Sequence, residues 1–160
     1  MTIQINPYPF QRRLNAVIRQ TLTPPPKLQL SEWADEYRVL SAEAAAEPGK
    51  WYTSRAEYQR EILDTISDPS VETVVLMMGS QLGKSEALLN ILGYFVHNDP
   101  SPILLVQHSV DEARSFSSTR IAPLLRDTPV LRNLTAEAKS RDSANTILRK
   151  TFVGGTLTLV

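Results

Sequence analysis

The stretch VVLMMGSQLGKSEALL, Val74 to Leu89, holds the residues best suited to chemistry: Gly79, Ser80, Gln81, Leu82, Gly83, Lys84 and Ser85. Gly83-Lys84-Ser85 is the end of the phosphate-binding pattern G-x-x-x-x-G-K-[ST]. Where that pattern has its first glycine the chain has Met78, with Gly79 one place later. Holding a polyphosphate needs successive backbone N–H groups that curl around it, and therefore flexible or left-handed positions. It also needs a helix N-terminus aimed at the phosphates, an ammonium group, and a hydroxyl for Mg2+. Gly79, Ser80 and Gly83 meet the first need, and the helix from about Gly83 meets the second. Lys84 supplies the charge and Ser85 the hydroxyl, so ATP with Mg2+ is the expected ligand. The displaced first glycine is the most dispensable item. A strand-to-helix turn that happens to contain GKS is the alternative, and the position between an apolar run and an apolar helix argues against it.

A hydrolytic site would add an acidic pair closing a hydrophobic strand. The nearby candidate, Asp111-Glu112, lies beyond the apolar run ILLVQ and fits the capping turn of a helix better. The sequence therefore offers phosphate binding without an assignable catalytic residue, and the acid is expected past Val160. With no cysteine and only His97 and His108, thiolate and zinc sites are not expected.

The elements that must position the loop follow from periodicity. Val74–Met78 is a continuous apolar run, as in a parallel strand covered on both faces. Ala87, Leu88, Leu89, Ile91, Leu92, Phe95 and Val96 make the next helix apolar over most of its circumference, and Asn98-Asp99-Pro100 stops it. PILLVQ predicts a second strand. SVDE, Ser109 to Glu112, opens a helix through Ala113, Phe116, Ile121 and Leu124, which Pro123 should kink or end. GGTLTLV predicts a turn and a third strand ending at Val160, as a truncated domain would. Upstream, SRAE, Ser54 to Glu57, reads as a capping box for a helix with Tyr58, Ile62, Leu63 and Ile66 facing inward, ended by Asp68-Pro69. Ser31 is the expected N-cap of a helix carrying Trp33 and Tyr37 on one face, with Leu40 one turn on, and these aromatics should dock it on the main body. Before it come a short apolar-periodic piece, Phe10 to Leu22, and the extended run Pro24-Pro25-Pro26.

The bulk properties agree with a single domain, or one lobe of a larger protein. Among 160 residues, 42% are hydrophobic, and 17 Lys plus Arg balance 17 Asp plus Glu. No global field draws the chain to nucleic acid, and the mildly basic tract Lys139, Arg141, Arg149 and Lys150 fits a solvated surface better than a DNA contact. No run approaches a membrane span and no signal peptide is visible, so an intracellular protein is expected.

The words LSEWADEYRVLS, EPGKWYTSRAEYQREILDTISDPSVETVVLMMGSQLGKSEALLN, GYFVHNDPSPILLVQ and DEARSFSSTRIAPLLRDTP together resemble the N-terminal ATPase region of the lambda-type phage terminase large subunit. The likeness runs from about Leu30 to Val160. It implies an α/β fold of the P-loop NTPase type, three layers with a mainly parallel sheet, truncated at its C-terminus. Residues 1–50 would be an extension with a proline-rich linker and short helices, and 51–160 a partial P-loop ATPase domain. It implies a DNA-packaging motor in the host cytoplasm, oligomeric in full-length form. Its partners would be double-stranded DNA, a small terminase subunit and the capsid portal, and a nuclease domain would follow.

Residue by residue, Gly79 to Ser85 is similar to that family's deviant phosphate loop, whose first glycine is displaced or missing. Tyr58 and Gln59 fall where related motors keep an adenine-contacting glutamine motif, with Trp51 and Tyr52 as rival stacking residues and helix packing as the alternative for Tyr58. The place of an internal arginine finger holds Ser80, so Arg114, Arg120 or a neighbouring subunit would have to replace it. Arg120 reads more readily as a solvated helix residue. Two other functions stay open: a nucleotide-binding prophage remnant without catalysis, and a P-loop small-molecule kinase. The long segment ahead of the loop and the lack of an arginine-rich lid count against the kinase.

Overall fold

The computed structural model describes residues 28–132, 134–135 and 146–160. The piece Phe10 to Leu22, the run Pro24-Pro25-Pro26, and Lys139 and Arg141 lie outside the described residues.

Helix α1, Leu30–Tyr37, begins one residue before the expected cap. Gln29 occupies the cap position, and its backbone N–H donates to Glu32 Oε2 at 3.0 Å. Ser31 lies within the first turn and is buried, its N–H donating to Asp64 Oδ1 at 3.0 Å. A carboxylate from another helix thus does the capping that Ser31 was expected to do. After Tyr37 the chain leaves the helix: Leu40 sits in strand β1, Val39–Leu40, which pairs antiparallel with β2, Gly49–Lys50.

Ser54 does not open an α-helix. Thr53–Ala56 forms a 3₁₀ turn, and helix α2 spans Tyr58–Ile66. Two bonds fix this entry: the Thr53 N–H donates to Asp35 Oδ1 at 2.5 Å, and Trp51 Nε1 donates to Thr53 Oγ1 at 3.0 Å. These tethers hold the 3₁₀ turn ahead of the helix, and Ile66 packs against the core as expected. Leu63 is buried as expected, but Gln59 points inward and Tyr58 is half exposed.

Helix α3, Lys84–His97, is the spine of the molecule. Its Ala87, Leu89, Leu92 and Val96 are buried in one core with Leu30, Trp33 and Leu63. Each such leucine contributes on the order of 2 kcal/mol of apolar burial. Gly93 lets α1 approach closely: a Cβ there would lie 2.9 Å from Trp33 Cζ3. The indole packs edge-on to Tyr94 with centroids 6.4 Å apart, and its Nε1 donates to His97 Nδ1 at 3.0 Å. Trp33 and Tyr37 do dock this segment, as their spacing predicts.

Strand β3, Ile103–Leu105, follows the Asn98 cap. Ser109 caps helix α4, Val110–Phe116, accepting from the Glu112 N–H at 3.2 Å. Pro123 neither ends nor isolates the helix it stands in. A π-helical turn, Ser117–Ile121, precedes it, and α5 continues over Ala122–Asp127 with the proline in its first turn. The proline has no N–H to give to the preceding turn, and the π-helical turn just upstream is where the helix accommodates its ring. Helix α6, Pro129–Arg132, completes this side.

Strands β4, Arg149–Phe152, and β5, Gly155–Leu159, form a hairpin in which Gly154 takes φ 95°. The sheet order is β3-β5-β4, with β3 and β5 parallel (Ile103 opposite Leu157, Leu105 opposite Leu159) and β4 antiparallel. The sheet is therefore mixed. Leu105, Leu157 and Leu159 are buried, whereas Leu104 and Val106 are 63% and 67% exposed.

Val74–Met78 departs from expectation. It takes up no regular secondary structure and joins no ladder among the described residues, and Val75 and Met77 are 77% and 93% exposed. A β-branched run is buried on both faces only when sheet neighbours and helices flank it, and no described strand pairs with it.

Candidate functional site: the loop before helix α3

Two residues of the loop take left-handed conformations: Gln81 at φ 62° and Gly83 at φ 78°, ψ 18°. Gly83 is the cap residue of α3, so the loop runs straight into the N-terminus of a fourteen-residue helix, whose first N–H groups have no intrahelical acceptor. The helix brings its partial positive charge to the same place. Lys84 folds back over the loop, its Nζ donating to Met78 O at 2.9 Å. The residue standing where the usual pattern has glycine thus contributes a carbonyl. Lys84 and Ser85 are exposed, as are Gly79, Ser80, Gln81 and Leu82.

Tyr58 and Gln59 meet this loop from behind. Leu82 O accepts from Tyr58 Oη at 3.0 Å and from Gln59 Nε2 at 3.3 Å. Gln59 is buried, and its Oε1 has no hydrogen-bond partner among the described residues. The backbone conformation of Gly83 demands glycine, and a Cβ there would also displace the Gln59 amide. The two residues singled out upstream are therefore brought to the loop, while Trp51 is buried and bonded to Thr53. Tyr52 is half exposed with the Lys50 ammonium 5.8 Å from its ring centroid.

One cluster had no sequence cue. Glu86, in the first turn of α3, faces Arg38 Nη2 at 3.1 Å and Arg120 Nη1 at 3.8 Å. Arg38 is 3% exposed, and burial pushes its guanidinium below the usual value while Glu86 opposes that shift. Arg120 is partly covered rather than solvated, and its Nη1 also donates to Ala44 O at 2.5 Å. Arg114 is exposed and bonded to Asp111. These partners are far apart in sequence, so no local period could reveal them.

A cleft of about 1050 Å³ opens along α2, away from the loop, lined by Glu57, Arg60, Glu61, Asp64, Asp68 and Asp99 among others. Its carboxylates outnumber its guanidinium, which disfavours an anionic ligand. The loop has less enclosure but the right chemistry. Asp111 and Glu112 lie in the first turn of α4, with Asp111 94% exposed. Among the described residues no group of three or more His, Asp or Glu could hold a metal ion. Ser85, exposed at the start of α3, carries the one hydroxyl of the GKS triplet, a hard oxygen of the kind Mg2+ takes.

In this α/β protein the loop thus ends in left-handed residues at a helix N-terminus with a lysine folded over it. The family described as "Phage terminase large subunit gpA, ATPase domain" matches residues 45–160, and the chain belongs to it. The chain is also 27% identical over 131 residues to the terminase large subunit of Enterobacteria phage P21, covering 82% of this chain and 20% of that protein. It thus spans about a fifth of the length of the curated relative it matches. No solved structure gives a significant match. No helix among the described residues is long and apolar enough to cross a membrane.

Proposed function

We propose that Gly79, Ser80, Gln81, Leu82, Gly83, Lys84 and Ser85 form the ATP phosphate site of a DNA-packaging motor. The observation that carries this is the left-handed pair Gln81 and Gly83 feeding a fourteen-residue helix, with Lys84 folded over the turn. Lys84 Nζ would exchange Met78 O for β- and γ-phosphate oxygens, and the first backbone N–H groups of α3 would take the remaining charge. Mg2+ would draw on the Ser85 hydroxyl and offset charge on the bound phosphates. Tyr58 and Gln59 would hold the loop through Leu82 O, and the exposed ring face of Tyr58 would be free to meet adenine, with Tyr52 as the rival.

The family match supports the motor reading over a small-molecule kinase. On this reading residues 51–160 are part of a P-loop ATPase domain, and 1–50 an extension whose helix α1 packs against it. Val74–Met78 would be a sheet strand whose edges pair with further strands and whose faces are covered by helices. The whole motor would work as an oligomer in the host cytoplasm on double-stranded DNA, with a small terminase subunit and the capsid portal. The acid that orients the attacking water is assigned to no described residue, and neither are the nuclease groups; both would belong to the part of the longer protein that the match leaves out.

Lys84→Ala in the complete terminase should abolish ATP hydrolysis and DNA packaging while leaving subunit assembly intact. Hydrolysis at the parental rate would overturn the assignment.

A further inference from the structure

Glu86 is an awkward neighbour for a polyphosphate. It follows Ser85 directly and lies in the first turn of α3. A first-turn carboxylate suits an empty helix, because it meets the positive end of the macrodipole. Beside a bound triphosphate it would repel the ligand, since charges closer than about 8 Å are not fully screened at physiological salt.

The fold answers with two guanidiniums. Arg38, from the junction of α1 and β1, reaches Glu86 Oε2 at 3.1 Å and is buried. Arg120 reaches the other oxygen, Oε1, at 3.8 Å. It comes from the π-helical turn Ser117–Ile121, the kind of irregularity that recurs at functional sites. Its second bond, to Ala44 O, holds the side chain in place at the edge of the cluster. Two cations against one anion leave the first turn of α3 net positive.

On the reading that Gly79–Ser85 holds nucleotide phosphate, we propose that Arg38 and Arg120 are positioning residues that act through Glu86. They hold its carboxylate and cancel its repulsion of the phosphates. Arg38 is the buried, fixed half of the pair. Arg120, at 38% exposure, is the half that can be changed without emptying the core.

This role has a signature that a merely structural cluster lacks. If the contacts only support the fold, removing a second member adds damage. If they neutralise Glu86, removing its charge repairs the loss of Arg120. Glutamine is the replacement of choice at Glu86, because its amide oxygen still accepts from Arg38 Nη2.

The test is a titration of Mg·ATP into the whole chain, repeated at low and high salt, for wild type, Arg120→Gln, Glu86→Gln, the double variant and Lys84→Ala. Thermal unfolding confirms that each is folded. Arg120→Gln should bind about fivefold more weakly at low salt, the size of one partly screened charge contact, with the deficit shrinking at high salt. The double variant should bind at least as tightly as wild type. A double variant as weak as Arg120→Gln, or an Arg120→Gln that binds like wild type, overturns the proposal while leaving the loop assignment standing. Equal binding by wild type and Lys84→Ala, or none by wild type, instead removes the loop assignment, and this inference falls with it.

Discussion

At Gly83 the demands of backbone and neighbour coincide. Its φ of 78° disfavours any L side chain, and the space a Cβ would need holds Gln59 Nε2. A left-handed non-glycine residue costs about 1–2 kcal/mol. Gly83→Ala should therefore lower the unfolding free energy by at least that much, read as a lower denaturant midpoint, and loosen the Tyr58 and Gln59 bonds to Leu82 O. An unchanged midpoint would contradict the described loop geometry. The GKS pattern exposes the need for Gly83 directly, and Lys84 and Ser85 with it. Gln59 is different: nothing local marks a glutamine as buried, because the loop it meets lies 23 residues on. Glu86 and Arg38 escaped for the same reason, being a pair 48 residues apart.

Among the elements, α1 and α3 meet at a surface that spacing predicts in kind but not in chemistry. Trp33 and Tyr37 were legible as a docking face. The glycine that admits the indole and the histidine that accepts its hydrogen bond were not, since each needs knowledge of what lies opposite. Gly93→Ala should cost about 1–3 kcal/mol by overpacking against Trp33, read as a lowered melting midpoint. His97 adds a pH dependence. Its Nδ1 must be unprotonated to accept from Trp33 Nε1, and burial lowers its pKa from 6.5. A depressed imidazole pKa means that the unfolded chain takes up the proton first as pH falls. Its contribution is thus complete above about pH 6.5 and is lost as pH falls below that value toward the folded pKa. Urea midpoints measured from pH 7.5 down to 5 should decline more in wild type than in His97→Gln; parallel declines would remove this role. The helical run through Pro123 shows the opposite limit. A proline predicts a break, yet a π turn upstream absorbs the strain and the helix continues.

For the whole molecule, the sheet is where sequence and structure part most. The parallel pairing of β3 with β5 follows from strand-helix-strand order, and β4 does not, because the charged start of RKTF hides a hairpin strand. Val74–Met78 reads as a buried strand, and among the described residues it has no partner. Together with Leu104 and Val106 it leaves apolar surface uncovered on a chain whose 17 cations balance 17 anions. Neutral chains with exposed apolar strands associate. Val75→Lys should raise the solubility limit of this chain, whereas in a longer chain that covers the strand it should destabilise the fold; equal effects in both would contradict a covered strand.

Whether the loop before α3 binds the phosphates of ATP is read by calorimetric titration of Mg·ATP into this chain. One saturable site per chain is expected, and it should disappear in Lys84→Ala while the fold is kept. Binding of equal affinity in the two proteins would contradict it.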